Sequence, residues 1–465
     1  MRTARKESPS GSRGITIDVV EAGIRPRRGS VCCRIGKNVE FSTAGLESYF
    51  FARWEPVAYD ALLVAAAAEF GDRIRHRPAY SWQREIELRI PVHDLERWNN
   101  KQVVDSLHES LNFLTGDRWR IDFCKRQNPV NQPQQGMLSL QPGVDAVLPF
   151  SNGLDSRAVA GLLGRELGHR LVRVRLGSEL QDREGLSRRK EAFTSVPYRV
   201  LPGRHSFVES SARSRGFKFA LISALAANLA EASQVIIPES GQGALGPTLV
   251  PVGQAYEDYR SHPLFTRRME KFLHALFGRP ISFRFPRLWS TKAETLKQFV
   301  DQCEGRSSWS QTWSCWQQSR QVSVDHRKRQ CGICAACMLR RLSVHAAGLS
   351  ESPESYVWED LSATTFPAGA AASFPVKKIT PGLREYAIAG ALHLDHLAGL
   401  AGSTSGARTV SLQAFQLAGA MGLSEADAHT KLNRLLNQHS SEWRNFMLSL
   451  GPNSFVADWA LSGRL

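Results

Sequence analysis

Three stretches of this chain carry residue types and spacings that can do chemistry. The first is Ser151-Asn152-Gly153-Leu154-Asp155-Ser156. Apolar residues lead into it over 144–150, and an apolar helix pattern leaves it over 158–163. A strand, a tight turn and a helix start leave free backbone N–H groups above the turn, where they favour an anion. Ser151 and Ser156 add hydroxyl donors, and Gly153 lets a ligand approach the backbone closely. Asp155 is placed to hold Mg²⁺ against phosphate oxygens. The same residues also suit an ordinary turn capped by Asp155 or Ser156. Cys315, Cys331, Cys334 and Cys337 make the second stretch. Cys-x₂-Cys presents two thiolates to one ion, Cys337 follows one turn into a helix, and Cys315 closes a tetrahedral set. Zinc at a closed site is preferred, and an iron–sulfur cluster is the rival because Cys-x₂-Cys-x₂-Cys also occurs in ferredoxin runs. The third is Lys292, in a helix start capped by Ser290 or Thr291, where a compact cation suits a phosphate.

Smaller features surround these. Arg175-Leu176-Gly177 closes a strand and is placed to meet an adenine and ribose. Arg213, Arg215 and Lys218 stand at a helix N-terminus, where the dipole disfavours cations, so they suit a phosphate or carboxylate; a solvated charged turn is the alternative. Glu239, followed by Gly241, Gly243 and Gly246, offers an acceptor for a purine-like ring on a mobile loop; the alternative is a loop without a ligand.

The elements that position these residues follow from periodicity. Strands at 144–150, 171–176, 198–201 and 234–238 alternate with helices at 158–163, 181–194 and 219–233. Such alternation predicts an α/β fold with a Rossmann-like parallel sheet, helices on both faces and right-handed crossovers. Ligands then bind at the carboxyl ends of the strands, where the Ser151 turn falls. A helix at 267–276, a strand at 281–285 and a helix from 292 to about 303 follow. Ahead of this region, 14–141 reads as an α+β domain. It has strands at 15–20, 30–35 and 84–90, helices at 55–70 and 103–114, and a Gln/Pro-rich linker at 127–141. Ile86, Leu88 and Ile90 alternate there with Glu85, Glu87 and Arg89. Trp98, Phe113 and Trp119 read as core. After the central domain at 142–350, the region 351–465 reads as helical, with helices at 383–401 and 411–438. Leu432, Leu435 and Leu436 share one face, suited to packing.

The chain has 465 residues and a net charge of +15, which favours polyanions. Its arginines are spread along the whole length, so nucleic acid is possible but not favoured. No apolar run reaches membrane-span length, so no membrane role is expected. The basic, Ser- and Gly-containing stretch 1–13 reads as disordered; lacking an apolar segment, it predicts a cytoplasmic protein.

The Ser151 turn resembles the S-G-G-x-D-S loop of the PP-loop ATP pyrophosphatases. Asn152 replaces the first glycine, and Asn tolerates left-handed backbone angles. Arg157 stands where that family often has Thr. The order of motifs is similar to the 7-cyano-7-deazaguanine synthase (QueC) family. It comprises Ser151–Ser156, Arg213 or Arg215 before an Ala-rich helix, Thr291-Lys292-Ala293-Glu294, Ser314-Cys315-Trp316, and Cys331 to Arg340. The likeness covers about 144–350. It implies ATP as co-substrate, Mg²⁺, a structural Zn²⁺ and a 7-deazaguanine-type substrate. Ser151 to Ser156, Arg175 and Gly177 would then face the nucleotide, and Glu239, Gly241 and Arg213 the substrate. Asp155, Lys292 and Arg215 would act on the reacting groups.

The implied reaction adenylates a carboxylate and passes the acyl group to an amine. Where that family has Y-P-D-C-R, this chain has His262-Pro263-Leu264-Phe265, without the Asp, and it carries extra regions on both sides. Extended QueC-like proteins of antiphage operons (Qat systems and type IV CBASS) share that extension. The resemblance to them implies amide transfer to the N-terminus of a partner protein. The housekeeping nitrile-forming synthase is the second reading. A PP-loop tRNA-modifying enzyme with an iron–sulfur cluster, or a non-catalytic nucleotide-binding regulator, is the third.

Overall fold

The computed structural model describes residues 14–41, 56–77, 83–128, 143–176, 193–196, 198–209, 213–251, 256–303, 306–317, 322–402 and 404–460. Gly177, the stretch 1–13, most of the linker expected at 127–141 and most of the helix expected over 181–194 lie outside them.

Two parallel sheets organise the molecule. The first contains β1 (Gly14–Val20), β2 (Val31–Arg34), β4 (Glu85–Val92) and β5 (Arg118–Lys125) in the order β2-β1-β4-β5, while β3 (Val39–Phe41) lies apart from it. Its strands alternate. Ile86, Leu88 and Ile90 of β4 and Trp119, Ile121 and Phe123 of β5 are buried, and Glu85, Arg89, Arg118 and Arg120 are exposed. The mixed α and β content expected for this region thus takes the form of a parallel sheet. The helix Pro56–Arg73 covers its apolar face so closely that a Cβ on Gly71 would come within 3.3 Å of Trp119. Trp98 and Trp119 are buried as expected, and Phe113 is partly buried.

The second sheet runs β11-β10-β6-β7-β8, all parallel, with β6 at Ala146–Pro149, β7 at Leu171–Leu176, β8 at Phe193–Val196, β10 at Gln234–Ile236 and β11 at Ser282–Arg284. The strand expected at 198–201 is not part of it. Phe193–Val196 takes that place, where the tail of a helix was expected, and Tyr198–Val200 (β9) pairs antiparallel with β3. The helix Arg215–Leu229 packs against Pro56–Arg73, and one apolar core runs through both sheets, from Ile17 and Leu88 to Val147, Val172 and Val235.

Past the second sheet the chain is helical: Pro381–Gly399, Thr404–Met421 and Glu425–Leu450. The helix expected over 411–438 is two helices. Gly422, at φ +66°, ends the first, and Ser424 accepts from Asp427 N to cap the second. Leu432, Leu435 and Leu436 are buried against Leu245, Leu288 and Leu417. Among the described residues, no helix is long and apolar enough to cross a membrane.

Candidate functional site

The ends of three neighbouring strands build the site. The Ser151 turn follows β6, Glu239 follows β10, and Lys292 follows β11. These are the carboxyl ends of a parallel sheet, where helix N-termini and loops converge.

The turn is knitted by its own serines. Ser156 Oγ lies 2.9 Å from Ser151 O and 3.1 Å from Gly153 O, Ser151 N donates to Ser156 Oγ at 3.2 Å, and Gly153 N donates to Ser151 Oγ at 3.0 Å. The buried Ser156 therefore shapes the loop, while Ser151 stays exposed beside it. Asn152 keeps a negative φ, so the position makes no demand for a left-handed residue. Gly153 is also extended, at φ −74°, and a Cβ there would stand 3.0 Å from Ser151 Oγ. Close approach, not backbone angle, is what selects glycine at that position. The helix Leu154–Leu167 begins at this glycine with no side-chain cap, so its first N–H groups face outward.

The helix Lys292–Gln302 starts differently. Thr291 Oγ1 accepts from Glu294 N at 3.2 Å, Thr291 N donates to Glu294 Oε2 at 2.8 Å, and Lys292 N donates to Gln242 Oε1 at 2.8 Å. This reciprocal cap consumes the backbone donors inside the protein. What the helix offers the site is the Lys292 ammonium, which pairs with Asp155 Oδ2. Both side chains are largely buried. Asp155 Oδ1 is buried with no hydrogen-bond partner among the described residues. Burial raises the Glu239 carboxyl above its ordinary range, and the Asp155 charge adds to this. A hydrogen bond to Ser261 and the Lys292 charge oppose it. Two carboxyls and one ammonium thus share a space beside an open helix N-terminus.

The four cysteines are brought together. Cys315, Cys331, Cys334 and Cys337 are buried with their sulfurs within 4.8 Å of one another. Cys331 and Cys337 Sγ are 3.8 Å apart, close to the edge of a tetrahedron with ~2.3 Å metal–sulfur bonds. Cys331 N donates to Cys315 Sγ, Cys334 N to Cys331 Sγ and Cys337 N to Cys334 Sγ, at 3.2, 3.3 and 3.4 Å. Such donors stabilise thiolates, so the set fits a tetrahedral ion. Gly332, at φ +84°, makes the turn between two of them and packs on Trp358 O. Between Cys315 and Cys331, Ser323–Val324 and Arg327–Lys328 form a hairpin that turns at Asp325 and His326, both with positive φ.

The cluster is fastened to the turn. Trp313 N donates to Asn152 O at 2.7 Å. Gln330 Oε1 accepts from Ser314 N at 2.8 Å and Cys315 N at 3.2 Å. The fully buried Arg340 donates to Glu351 at 2.6 Å, Thr312 Oγ1 at 2.6 Å, and both Ser314 Oγ and Trp309 O at 3.3 Å. A metal at the cysteines would thereby hold the segment that positions Asn152.

Other expected residues lie at varied distances from this centre. Arg175 is buried on β7 with its guanidinium 5.1 Å from the Phe150 ring, beside Arg173 at 5.1 Å and Arg157 at 5.6 Å. Arg213 donates to Thr115 O at 3.0 Å and covers Tyr256, at the seam with the first sheet's region. Arg215 opens its helix as an exposed side chain beside Phe219, and Lys218 pairs with Glu69 at 2.8 Å. The loop expected to be mobile after Glu239 is two short helices, Gly241–Ala244 and Gly246–Leu249. A Cβ on Gly241 would collide with Leu288 O and Leu435, so this glycine permits packing. His262 caps the helix Pro263–Phe277, accepting from Leu264 N at 3.1 Å and meeting Gln413 at 2.7 Å. Burial pushes its pKa down to about 3. Sequence reasoning gave no role to Gln242, Gln330 or the Trp313 amide. A glutamine in a turn has no local spacing that announces its partner.

Against family models, residues 244–348 match the family described as queuosine biosynthesis protein QueC. The matched span contains Lys292 and all four cysteines, and it begins after the Ser151 turn and Glu239. No curated protein and no solved structure matches the chain.

Proposed function

We propose that this protein is a QueC-like, ATP-using synthase acting on a 7-carboxy-7-deazaguanine-type substrate. It activates the carboxylate as an adenylate and passes it, as an amide, to the N-terminus of a partner protein in antiphage defence. The observation that carries this reading is the Asp155–Lys292 pair beside the uncapped helix start, fastened through Asn152 and Trp313 to the cysteine segment.

In the first step a substrate carboxylate oxygen attacks the α-phosphorus of ATP. The bond from that phosphorus to its bridging oxygen breaks, and pyrophosphate leaves. The N–H groups at the start of Leu154–Leu167 and the Lys292 ammonium would stabilise charge growing on the leaving group. In the second step a neutral amine attacks the acyl carbon. The carbon–oxygen bond to AMP breaks, and the nitrogen gives up one proton to form the amide. Asp155 Oδ1, buried without a hydrogen-bond partner among the described residues, is an oxygen ligand that fits Mg²⁺, which when bound would offset phosphate charge. Cys315, Cys331, Cys334 and Cys337 fit Zn²⁺ in a structural role.

Amide transfer is preferred to nitrile formation because the His262–Phe265 segment lacks an Asp and His262 serves as a helix cap. The test incubates purified protein with ATP, 7-carboxy-7-deazaguanine and the protein encoded beside it. Release of AMP and pyrophosphate with a mass gain on the neighbour's N-terminus supports the reading. Free nitrile assigns the housekeeping reaction instead, and no pyrophosphate release overturns adenylation. Iron and sulfide in place of zinc would favour the tRNA-modifying alternative.

A further inference from the structure

We propose that Gln242 and His439 are positioning residues for Lys292, which makes the helix Glu425–Leu450 part of the nucleotide site. The inference rests on the reading that Lys292 serves the phosphates of ATP.

The chain of contacts is short and buried. Lys292 N donates to Gln242 Oε1 at 2.8 Å, Gln242 Nε2 meets His439 Nδ1 at 2.8 Å, and His439 Nε2 meets Leu394 O at 2.9 Å. A backbone N–H can only donate, so the Gln242 atom facing Lys292 is its oxygen. The amide nitrogen therefore donates to Nδ1, and the ring proton sits on Nε2, facing a carbonyl. Only one proton arrangement satisfies all three contacts, and it requires a neutral imidazole. Full burial favours that form, pushing the His439 pKa down to about 4. His393 and Asp395 on Pro381–Gly399 are the other titratable groups that bear on this ring, with Glu442 one turn along its own helix.

The same helix grips the rest of the Lys292 start. Glu442 accepts from Thr291 Oγ1 at 2.7 Å, and Arg434 donates to Trp289 O at 2.8 Å and to Glu294. Positions 434, 438, 439 and 442 lie on one helical face. That face holds the cap residue, the capping-box glutamate and the lysine's own peptide. A lysine that must meet a phosphate within a fraction of an ångström gains from an anchored main chain, because misplacement of about 1 Å can cost roughly 100-fold in rate.

The test uses the full-length protein with ATP, labelled pyrophosphate and 7-carboxy-7-deazaguanine. Gln242→Met keeps the side chain's length and removes both bonds; an exchange rate about 100-fold lower is expected, chiefly in kcat. Gln242→Glu keeps the acceptor for Lys292 N but sets a carboxylate oxygen against Nδ1. His439 must then be protonated, so this variant's activity is present at low pH and lost as pH rises through the histidine's new pKa. The control is Gln413→Met, which removes an equally buried glutamine–histidine contact at His262 and is expected to change kcat less than about twofold. Zinc content and melting temperature report folding. Wild-type kcat and pH profile in folded Gln242 variants overturn the proposal, as does an equal loss in Gln413→Met. Calorimetric ATP binding is the readout should the wild type show no exchange. The adenylation reading then fails by itself, a tenfold weaker affinity in Gln242→Met upholds the positioning role, and unchanged affinity or no binding overturns it.

Discussion

Replacing Arg340 with methionine tests whether the segment between the turn and the cysteines is held from behind. Arg340 is fully buried, and its guanidinium spends every nitrogen. Nε reaches both Glu351 oxygens at 3.0 and 3.1 Å, and Nη2 reaches Oε1 at 2.6 Å and Trp309 O at 3.3 Å. Nη1 reaches Thr312 Oγ1 at 2.6 Å and Ser314 Oγ at 3.3 Å. Methionine fills most of the volume and leaves Glu351 as a nearly buried charge that keeps the Tyr356 hydroxyl but loses its guanidinium partner. Removing one member of a buried pair costs about 3–5 kcal/mol. The two buried acceptors left behind, Trp309 O and Thr312 Oγ1, add about 1 kcal/mol each, and the part-buried Ser314 hydroxyl adds little. The sum, about 5–7 kcal/mol, is a large part of the ~5–15 kcal/mol that holds a domain together. Urea unfolding followed by tryptophan fluorescence and zinc release measures it. A double variant, Arg340→Met with Glu351→Leu, is expected to recover about 2 kcal/mol, because both charges are then gone. A single variant within 1 kcal/mol of wild type, or no recovery in the double, refutes the reasoning. In either variant that still folds, ATP affinity is expected to fall about tenfold as Trp313 loosens from Asn152.

Other predictions follow from the same geometry. Asp155→Asn removes the charge facing Lys292 and weakens the ligand suited to Mg²⁺, so pyrophosphate exchange is expected to fall at least 100-fold when read well below a melting temperature that also drops, because Lys292 is left largely buried without its carboxylate. Chelation, or Cys331→Ser, is expected to release about one zinc per chain and lower the melting temperature together with ATP binding; metal analysis and calorimetry check this. Burial, opposed by its hydrogen bonds to Gln438 and Thr291, raises the Glu442 carboxyl above its ordinary value. The folded state therefore binds the proton more tightly than the unfolded chain, and stability declines as pH rises through the ordinary carboxyl range and above. Glu442→Gln is expected to stabilise at pH 8, with the gain shrinking toward pH 4, read by urea unfolding at both. His262 and His439 are held neutral, at about 3 and about 4. Below their unfolded pKa near 6.5 each withdraws stability progressively, so acid unfolding followed by circular dichroism is expected to begin under pH 6.5.

What the sequence revealed, and what it concealed, divides by distance along the chain. The Ser151 turn, the Thr291–Glu294 cap and the cysteine spacing are each written within some twenty residues, and local rules read them. The break at Gly422 and Ser424 was equally local, a glycine followed by Ser-x-x-Asp, yet it fell inside the single helix expected over 411–438. Strand Arg118–Lys125 alternates as cleanly as Glu85–Val92 and lies between Gly116-Asp117 and Asn128-Pro129, yet it went unassigned. The pairing of β3 with β9 joins residues about 160 positions apart, and nothing in either three-residue strand names the other. Gln242 and His439, 197 positions apart, pose the same difficulty within the site itself. Each is an unremarkable polar residue until burial forces both to find partners, since an unpaired donor or acceptor there costs about 1–3 kcal/mol. The motif thus places the charged atoms, whereas the long-range contacts determine whether those atoms stand still. That second requirement explains why a helix 150 residues beyond Lys292 reads as a passive amphipathic surface in sequence and as a support for the site in the folded chain.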